Sequence, residues 1–273
     1  MSEQPKITLT IAGNDASGGA GLAADLKTFA EYGTFGIASI AVIATMDPKT
    51  WKHSVTPMSP ELVKEQLNTA TSAENGIDGF KTGMLPNVEV IETVAQHIKE
   101  HAMKNYVCDP VMVCKGEDEV LNPDSANAMR EELIPLATVA TPNLFEAAQL
   151  AQVEPIKTLE AAKAAAKKIH ELGAETVVVK GGTQLAETEA LDVFYDGENF
   201  EVLSEKQAEI SANHGAGCSF AAAVAAGLAT GLSPLEAVKK AKKYVTAAIK
   251  HGFAFNDLAY PVFHSAYRLY GED

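Results

Sequence analysis

Strand-like and helix-like segments alternate along most of the chain, and this alternation constrains the fold more than any other feature of the sequence. Short apolar runs bounded by turn residues are typical of buried strands, and they lie at residues 6–12, 36–45, 79–82, 106–110, 138–141 and 176–179. Segments with helical spacing of apolar residues lie at residues 22–32, 60–73, 88–99, 123–133, 144–151 and 159–172. Strands that alternate with helices predict an α/β fold, in which a mostly parallel sheet carries helices on both faces.

The C-terminal third departs from this alternation. Residues 192–195 and 199–202 flank Asp196-Gly197, a pair typical of a tight hairpin turn. This hairpin predicts an antiparallel edge to the sheet. Helices resume at about residues 218–230 and 235–250. Because no linker, repeat or low-complexity segment interrupts the pattern, the sequence predicts one domain over residues 1–273.

Composition and charge exclude several kinds of protein. The hydrophobic share of 47% is ordinary for a globular chain and excludes disorder of the whole chain. The net charge of −14 disfavours binding to nucleic acid, because an acidic surface repels phosphate backbones. Three cysteines do not describe a disulfide framework, and neither a signal peptide nor a membrane-spanning run is recognisable. A soluble cytoplasmic protein is therefore expected.

Several polar and glycine-rich motifs follow predicted strands or begin predicted helices. In sheets of this kind, ligands bind beyond the carboxyl ends of the strands. These motifs are therefore expected to gather along one rim, and they comprise the glycine loop at residues 13–21, Met46, Asp109-Pro110, Pro142-Asn143, Lys180-Gly181-Gly182 and Gly215-Ala216-Gly217-Cys218.

The segment from His214 to Ser219 places two glycines before a helix of small residues. Glycines let successive amides point at one anion, and the helix dipole adds positive potential there. The segment predicts either a phosphate site or a helix-capping loop without a ligand. It is not a Walker loop, since no Lys-Ser/Thr pair follows the glycines. Cys218 would lie at the helix N-terminus, where the dipole lowers the pKa of a thiol, or it would be a small buried side chain.

Two carboxylates and one lysine could carry further chemistry. Asp109 at a strand end and Glu146 in the first turn of a helix could hold Mg²⁺ directly or through water, although Glu146 could instead stabilise the helix dipole. Lys180 ends a buried strand before two glycines, where it could contact a phosphate or only reach water. Cys114 lies where an apolar segment becomes acidic, and Cys108 is interpreted as a packing residue.

In combination, these motifs resemble a known family. The segments 10–21, 24–28, 81–85, 109–113, 141–144, 180–182 and 214–218 are similar, in the same order, to those of the hydroxymethylpyrimidine (phosphate) kinases of thiamine synthesis. The resemblance covers nearly the whole chain and implies a ribokinase-like three-layer αβα sandwich. Within this group the chain most resembles the pyridoxal kinases built on the same plan. It does so at Met46, where the pyrimidine kinases usually carry a glutamine that recognises the aminopyrimidine, at Cys114, and over Asn143–Ala147.

The resemblance implies transfer of the γ-phosphoryl group of ATP to the 5′-hydroxymethyl group of pyridoxal, with pyridoxine and pyridoxamine as further acceptors. The implied ATP-binding residues are Asn143, Lys180, Gly181, Gly182, Gly215, Ala216 and Gly217. The implied substrate-binding residues are Asp25, Met46, Met84, Val111 and Cys114. Asp109 and Glu146 are the implied Mg²⁺ ligands through water. A homodimer is expected from the resemblance alone.

The implied catalytic residues are Cys218, Cys114, Gly215 and Gly217. Many ribokinase-like enzymes have an aspartate base where Cys218 stands, so that either a thiolate accepts the proton or the anion site suffices. Cys114 would add to the pyridoxal aldehyde as a hemithioacetal. The alternatives are a hydroxymethylpyrimidine kinase, an enzyme for both substrates, or a silent vitamin B6 binder, and the retained ATP-side residues disfavour the last of these.

Overall fold

One nine-stranded sheet forms the centre of the computed structural model, which describes residues 4–112, 123–208 and 212–271. Its strands are β1 (Ile7–Asp15), β2 (Phe35–Met46), β3 (His53–Pro57), β4 (Gly79–Thr82), β5 (Tyr106–Cys108), β6 (Val139–Ala140), β7 (Thr176–Gly182), β8 (Glu189–Tyr195) and β9 (Phe200–Lys206). They are ordered β3-β2-β1-β4-β5-β6-β7-β8-β9. The six strands from β2 to β7 in this order are parallel, whereas β3, β8 and β9 are antiparallel to their neighbours. The strand order reverses between β1 and β4, which is where such sheets bind ligands.

Helices cover both faces of this sheet. They are α1 (Gly21–Glu31), α2 (Pro60–Ala70), α3 (Val88–Glu100), α4 (Pro123–Ala128), α5 (Leu144–Ala151), α6 (Leu159–Glu171), α7 (Ala216–Ala229), α8 (Pro234–Lys250) and α9 (Ala266–Tyr270). After α4 the chain continues through a π-helical turn (Met129–Leu133) and a 3-10 turn (Ile134–Leu136). Helices α2 to α6 form one hydrophobic cluster with the sheet, and α1, α7 and α8 form the other. The predicted three-layer fold with a mostly parallel sheet and an antiparallel edge hairpin is confirmed.

Alternation along a short strand explains the two clusters. In β5, Tyr106 and Cys108 belong to the α2–α6 cluster, whereas Val107 between them belongs to the α7–α8 cluster. Successive side chains of a strand point to opposite faces, so a strand buried on both faces is mostly apolar. The prediction that Cys108 is a packing residue is confirmed, because its side chain is fully buried in the first cluster.

Helix α7 lies unusually close to the sheet because its residues are small. A Cβ atom at Gly79 of β4 would lie 2.8 Å from the carbonyl oxygen of Ala225 in α7. On the other side of α7, a Cβ at Gly227 would lie 2.9 Å from the Cβ of Ala237 in α8. This packing fixes α7, and therefore the position of its N-terminus at the rim of the sheet.

The structure also contains elements that the sequence pattern does not predict. Strand β3 is mostly exposed, and its short segment has no clear alternation of apolar and polar residues. It pairs with the end of β2, which reaches Met46. The five-residue helix α9 is too short to show a periodicity. Among the described residues, no helix has the length and apolar character needed to cross a membrane.

Candidate active site

A cavity of about 250 Å³ opens at the carboxyl ends of β1, β4, β5 and β7. It brings together nine of the residues that the sequence singles out. These are Met84, Asp109, Val111, Asn143, Glu146, Lys180, Gly215, Gly217 and Cys218. The chain supplies them from widely separated segments, so the parallel topology, rather than local sequence, is what assembles the site.

Four charged side chains of alternating sign form a row at this cavity, which we call the charge row (Asp25, Lys81, Asp109 and Lys180). The last three line the cavity, and Asp25 lies behind them. The Lys81 ammonium lies 3.1 Å from Asp25 Oδ2 and 4.0 Å from Asp109 Oδ2. The Lys180 ammonium lies 3.0 Å from Asp109 Oδ1. Each charge thus neutralises the next, which is how charges become tolerable away from water.

Burial and pairing have opposite effects on the members of the charge row. Burial raises the pKa of Asp25, and the bonds from Lys81 and Thr10 only partly oppose this. Burial by itself would lower the pKa of Lys81, but Asp25, Cys218 and Asp109 raise it above its usual value. Lys81 is therefore a fixed positive charge between two carboxyl groups.

Lys81 lines the cavity but is not among the residues that the sequence analysis assigns to the site. It lies in β4, a strand whose four residues are all buried. A charged side chain within such a strand must have a partner, because an unpaired buried charge is very unfavourable. That rule could have identified Lys81 from the sequence.

Asn143 and Glu146 begin helix α5 as a capping box. The Asn143 side chain accepts a hydrogen bond from the backbone N–H of Glu146 at 2.9 Å, and Glu146 Oε2 accepts from the N–H of Asn143 at 2.8 Å. Burial raises the pKa of Glu146, with Lys180 opposing and Asp109 adding to the shift. The predicted helix-terminal role of Glu146 is confirmed, and its carboxyl group also faces the cavity.

The N-terminus of α7 forms a backbone site that we call the anion loop (residues 215–218). Gly215 has a φ of +84°, and a Cβ there would lie 1.9 Å from the carbonyl oxygen of Gly19. Within the described residues, the backbone N–H groups of Gly217 and Cys218 donate to no protein acceptor. The Lys180 ammonium lies close by, 3.5 Å from where a Cβ of Gly217 would be. Amides and a cation therefore face the same corner, a combination suited to phosphate.

Cys218 is half-buried and lines the cavity. Burial raises the pKa of its thiol to about 11, although Lys81 acts in the opposite direction. The expectation of a lowered thiol pKa is therefore wrong, because burial raises the pKa by more than the charge of Lys81 lowers it.

Two predicted substrate residues do not line the cavity. Asp25 is fully buried behind its wall, where its carboxylate accepts hydrogen bonds from Thr10 and Lys81. The expected direct contact of Asp25 with the substrate is therefore not seen. Asp25 is instead connected to the cavity through its bond to Lys81, which lines the cavity. Met46 is half-buried at the end of β2 opposite His53, and it is Ala44 and His53 that line the cavity.

Three predicted nucleotide residues frame the site without lining it. Gly181 leaves room for Leu185, whose Cδ1 atom would be 2.4 Å from a Cβ at this position. Gly182 donates its N–H to Asp192 Oδ1 at 3.4 Å. Ala216 begins α7, and its N–H donates to the carbonyl oxygen of Asn213. Cys114, predicted to contact the substrate, lies outside the described residues.

Comparison with known proteins identifies the family. The family described as phosphomethylpyrimidine kinase matches residues 15–263. The chain belongs to this family. It is 52% identical to the pyridoxine kinase of Bacillus subtilis (strain 168) over 262 residues, which cover 96% of each chain. It is 35% identical to the hydroxymethylpyrimidine/phosphomethylpyrimidine kinase of the same organism over 260 residues, which cover 95% of each chain.

A solved structure supports the same assignment. An ADP complex of the Bacillus subtilis pyridoxal kinase superposes with a TM-score of 0.94 at 51% identity, and covers 97% of this chain and 100% of that one. This member of the phosphomethylpyrimidine kinase family is therefore a kinase with a ribokinase-like fold. It is more similar to kinases named for vitamin B6 than to the one named for the pyrimidine.

Proposed function

We propose that this kinase transfers the γ-phosphoryl group of ATP to the 5′-hydroxymethyl group of pyridoxal, and that pyridoxine and pyridoxamine also accept it. The observation that carries the proposal is that three members of the charge row (Lys81, Asp109 and Lys180) and the anion loop line one cavity. The identity of 52% to a pyridoxine kinase supports the choice of substrate. The more distant pyrimidine kinase makes hydroxymethylpyrimidine the alternative acceptor.

The nucleotide end of the cavity is where Lys180, Asn143 and the anion loop converge. Transfer of a phosphoryl group passes through a loose transition state, so that positioning and charge stabilisation supply most of the catalysis. The Lys180 ammonium would contact phosphate oxygens, and the amides of Gly217 and Cys218 would hydrogen-bond to the group in transfer. Gly181, Gly182 and Ala216 would hold the surrounding backbone.

Asp109 and Glu146 supply the oxygen atoms that suit Mg²⁺. This ion is commonly held by one or two carboxylates together with substrate phosphates, and it keeps several waters. Both carboxyl groups already have protein partners, namely Lys180 for Asp109 and the N–H of Asn143 for Glu146. Contact through water therefore fits them better than direct ligation. The bound ion would neutralise phosphate charge.

The acceptor end of the cavity is more apolar. Met84 and Val111 line it and would pack against a pyridine ring. Met46 cannot form the paired hydrogen bonds that a glutamine offers to an aminopyrimidine, which favours pyridoxal. Asp25 would act by holding Lys81. Cys114 would trap the aldehyde: its thiolate attacks the carbonyl carbon, a C–S bond forms as the C=O π bond breaks, and the resulting alkoxide oxygen takes a proton from water.

The proton of the acceptor hydroxyl needs a destination. Cys218 is a candidate, but burial raises its pKa to about 11, so only a minor fraction is thiolate at neutral pH. We assign the amide of Cys218 to the anion loop and its thiol to proton acceptance by this minor fraction. Turnover that depends on such a base rises with pH.

The test of the proposed function is kcat/KM with Mg²⁺-ATP for pyridoxal and hydroxymethylpyrimidine, measured side by side. We expect a preference for pyridoxal. The Met46→Gln variant sharpens the test, since it should move the preference toward the pyrimidine. A preference of the native enzyme for hydroxymethylpyrimidine would replace the proposal with the alternative acceptor.

Cys114 has a separate test. The Cys114→Ala variant should lose more turnover with pyridoxal than with pyridoxine, because pyridoxine has no aldehyde to trap. The Cys108→Ala variant is the control, since Cys108 is fully buried in the core. Equal losses for the two vitamers would contradict the hemithioacetal.

We also propose that the kinase is a homodimer, as the family resemblance implies. Light scattering coupled to size-exclusion chromatography should give twice the chain mass of 28.9 kDa. A mass of one chain would refute the dimer without affecting the proposed reaction.

A further inference from the structure

A buried hydrogen bond between Asp15 and His214 joins two loops that are 199 residues apart in sequence. His214 Nε2 lies 2.7 Å from Asp15 Oδ2, and both side chains are at most one-tenth exposed. Asp15 ends β1, and His214 immediately precedes the anion loop. Neither residue has a role in the mechanism described above.

The Asp15 carboxylate also organises the loop at residues 15–21. It accepts hydrogen bonds from the backbone N–H groups of Ser17 at 2.7 Å and Ala20 at 3.1 Å. Burial raises the pKa of Asp15, but the bonds from His214 and Ser17 outweigh it, so that the pKa is lower than usual. Asp15 is therefore a carboxylate, which accepts the N–H of His214.

The loop at residues 15–21 and the anion loop are in such close contact that neither Gly19 nor Gly215 could carry a side chain without a steric clash. A Cβ at Gly19 would lie 2.5 Å from Cδ2 of His214, and one at Gly215 would lie 1.9 Å from the carbonyl oxygen of Gly19. A shift of the loop at residues 15–21 would therefore be transmitted directly to the anion loop.

On its other side, the backbone of His214 is held by the segment at residues 260–262. Its N–H donates to the carbonyl oxygen of Tyr260 at 3.1 Å, and its carbonyl oxygen accepts from Val262 at 3.1 Å. The imidazole is thus what joins this anchored backbone to the loop at residues 15–21. Without the imidazole, the anion loop would still be attached to the segment at residues 260–262 but no longer to the loop at residues 15–21.

We propose that Asp15 and His214 are positioning residues, which together hold the amides of Gly217 and Cys218 in register with the phosphoryl group in transfer. The proposal rests on the proposed function of the anion loop. Misplacement of a catalytic group by about 1 Å can cost roughly a hundredfold in rate. Lys180 and Asn143 stand on other elements, so the binding of ADP should be nearly independent of the pair.

The test uses His214→Gln, Asp15→Asn and the double variant, with His101→Gln as a matched control. His101 is an exposed histidine that follows α3, and its Nδ1 hydrogen-bonds to the carbonyl oxygen of His97 in that helix. We expect kcat to fall by about ten- to a hundredfold in each variant, with KM for the acceptor and Kd for ADP changed by less than threefold. Because the two side chains act as one unit, the double variant should lose no more than the single variants.

A second measurement separates positioning from general damage. The complex of Mg²⁺-ADP, aluminium fluoride and pyridoxine imitates the phosphoryl group in transfer. Its affinity should fall by the same factor as kcat, whereas ADP alone should bind as in the native enzyme. The proposal would be overturned if the affinity for ADP fell in parallel with kcat, or if only KM of the acceptor changed. It would also be overturned if the kcat losses of the two single variants added fully in the double variant.

The outcome is independent of the substrate. If the native enzyme prefers hydroxymethylpyrimidine, the same variants are measured with that acceptor, since the anion loop contacts the phosphoryl group and not the ring. Thermal unfolding of each variant establishes that it is folded. Asp15→Asn keeps the size of the side chain, and it serves as the decisive variant if His214→Gln unfolds.

Discussion

The charge row and the anion loop face the same cavity but are stabilised in different ways. The charge row consists of side chains, and each one is tolerable because its neighbour has the opposite charge. The anion loop consists of backbone amides, and it holds its shape because glycines allow close approach to the loop at residues 15–21. A substitution in the charge row should therefore leave an unpaired buried charge, whereas a substitution in the anion loop should create a steric clash.

Removal of the central cation should have the largest effect on stability. Among the described residues, Lys81→Met leaves the fully buried Asp25 with Thr10 as its one side-chain hydrogen-bond partner. Breaking a buried ion pair on one side costs about 3–5 kcal/mol of the free energy of unfolding. Urea unfolding should show this loss, and turnover should fall because Asp109 also loses a neighbour.

Two further variants make this prediction specific. Lys99→Met breaks the exposed pair of Lys99 with Glu132, which is 2.8 Å long, and should cost at most about 1 kcal/mol. Asp25→Asn added to Lys81→Met removes the unpaired charge and should restore part of the stability without restoring turnover. Equal losses for Lys81→Met and Lys99→Met would contradict the idea of a charge row.

A single methyl group should disrupt the anion loop. Gly215→Ala combines a positive φ with a Cβ 1.9 Å from the oxygen of Gly19, so the loop must move. We expect a loss of about a hundredfold in kcat and a loss of about 2–3 kcal/mol in the free energy of unfolding.

Gly231→Ala is the matched control for the backbone conformation. Gly231 has a φ of +92° and no heavy atom within 4 Å of its Cβ position. Gly231→Ala should lower the free energy of unfolding by only roughly 1–2 kcal/mol, the cost of a left-handed conformation for a residue other than glycine. It should leave kcat unchanged. If both variants keep kcat, the close approach of Gly19 does not set the shape of the anion loop.

The same contrast decides how much could be predicted from the sequence. Alternating patterns are enough for the parallel sheet, because periodicity reflects burial directly. Asp109 and Lys180 could be assigned to the site because they end strands whose carboxyl ends share one rim. The approach of Gly19 to Gly215 could not be predicted, since it depends on how two distant loops pack. The raised pKa of Cys218 could not be predicted either, because position at a helix terminus does not reveal burial.

His264 supports the anion loop from the other side and should make stability depend on pH. Its Nε2 lies 3.0 Å from the hydroxyl of Ser219 in α7, and burial lowers its pKa to about 4. The unfolded chain binds a proton near pH 6.5, so folding is favoured fully above that pH and progressively less as pH falls toward 4. Between pH 7 and 5 the loss should be about 2 kcal/mol.

Replacement by His264→Gln should remove that part of the pH dependence in unfolding experiments. His97 in α3 also has a pKa lowered to about 4 by burial, but it lies away from the anion loop. His97→Gln should therefore flatten the pH dependence of stability without changing turnover, whereas His264→Gln should lower turnover as well. Identical turnover in both variants would show that the Ser219 contact does not support the loop.

Cys218 belongs to both regions, since its thiol lies in the field of Lys81 and its amide belongs to the anion loop. Cys218→Ala keeps the amide and removes only the thiol. Affinity for ADP should stay, because Lys180 and the loop remain. Turnover at pH 7 should fall by about tenfold, less than the roughly 10²–10⁴-fold contribution of a well-populated base.

The pH profile distinguishes the two ways in which Cys218 could act. With a thiol pKa of about 11, the thiolate fraction rises throughout the range from pH 7 to 10, and kcat of the native enzyme should rise with it. Cys218→Ala should lose that rise. If the variant keeps both the native turnover and the native profile, the thiol takes no proton, and the backbone amides of the anion loop are the whole contribution of this turn to catalysis.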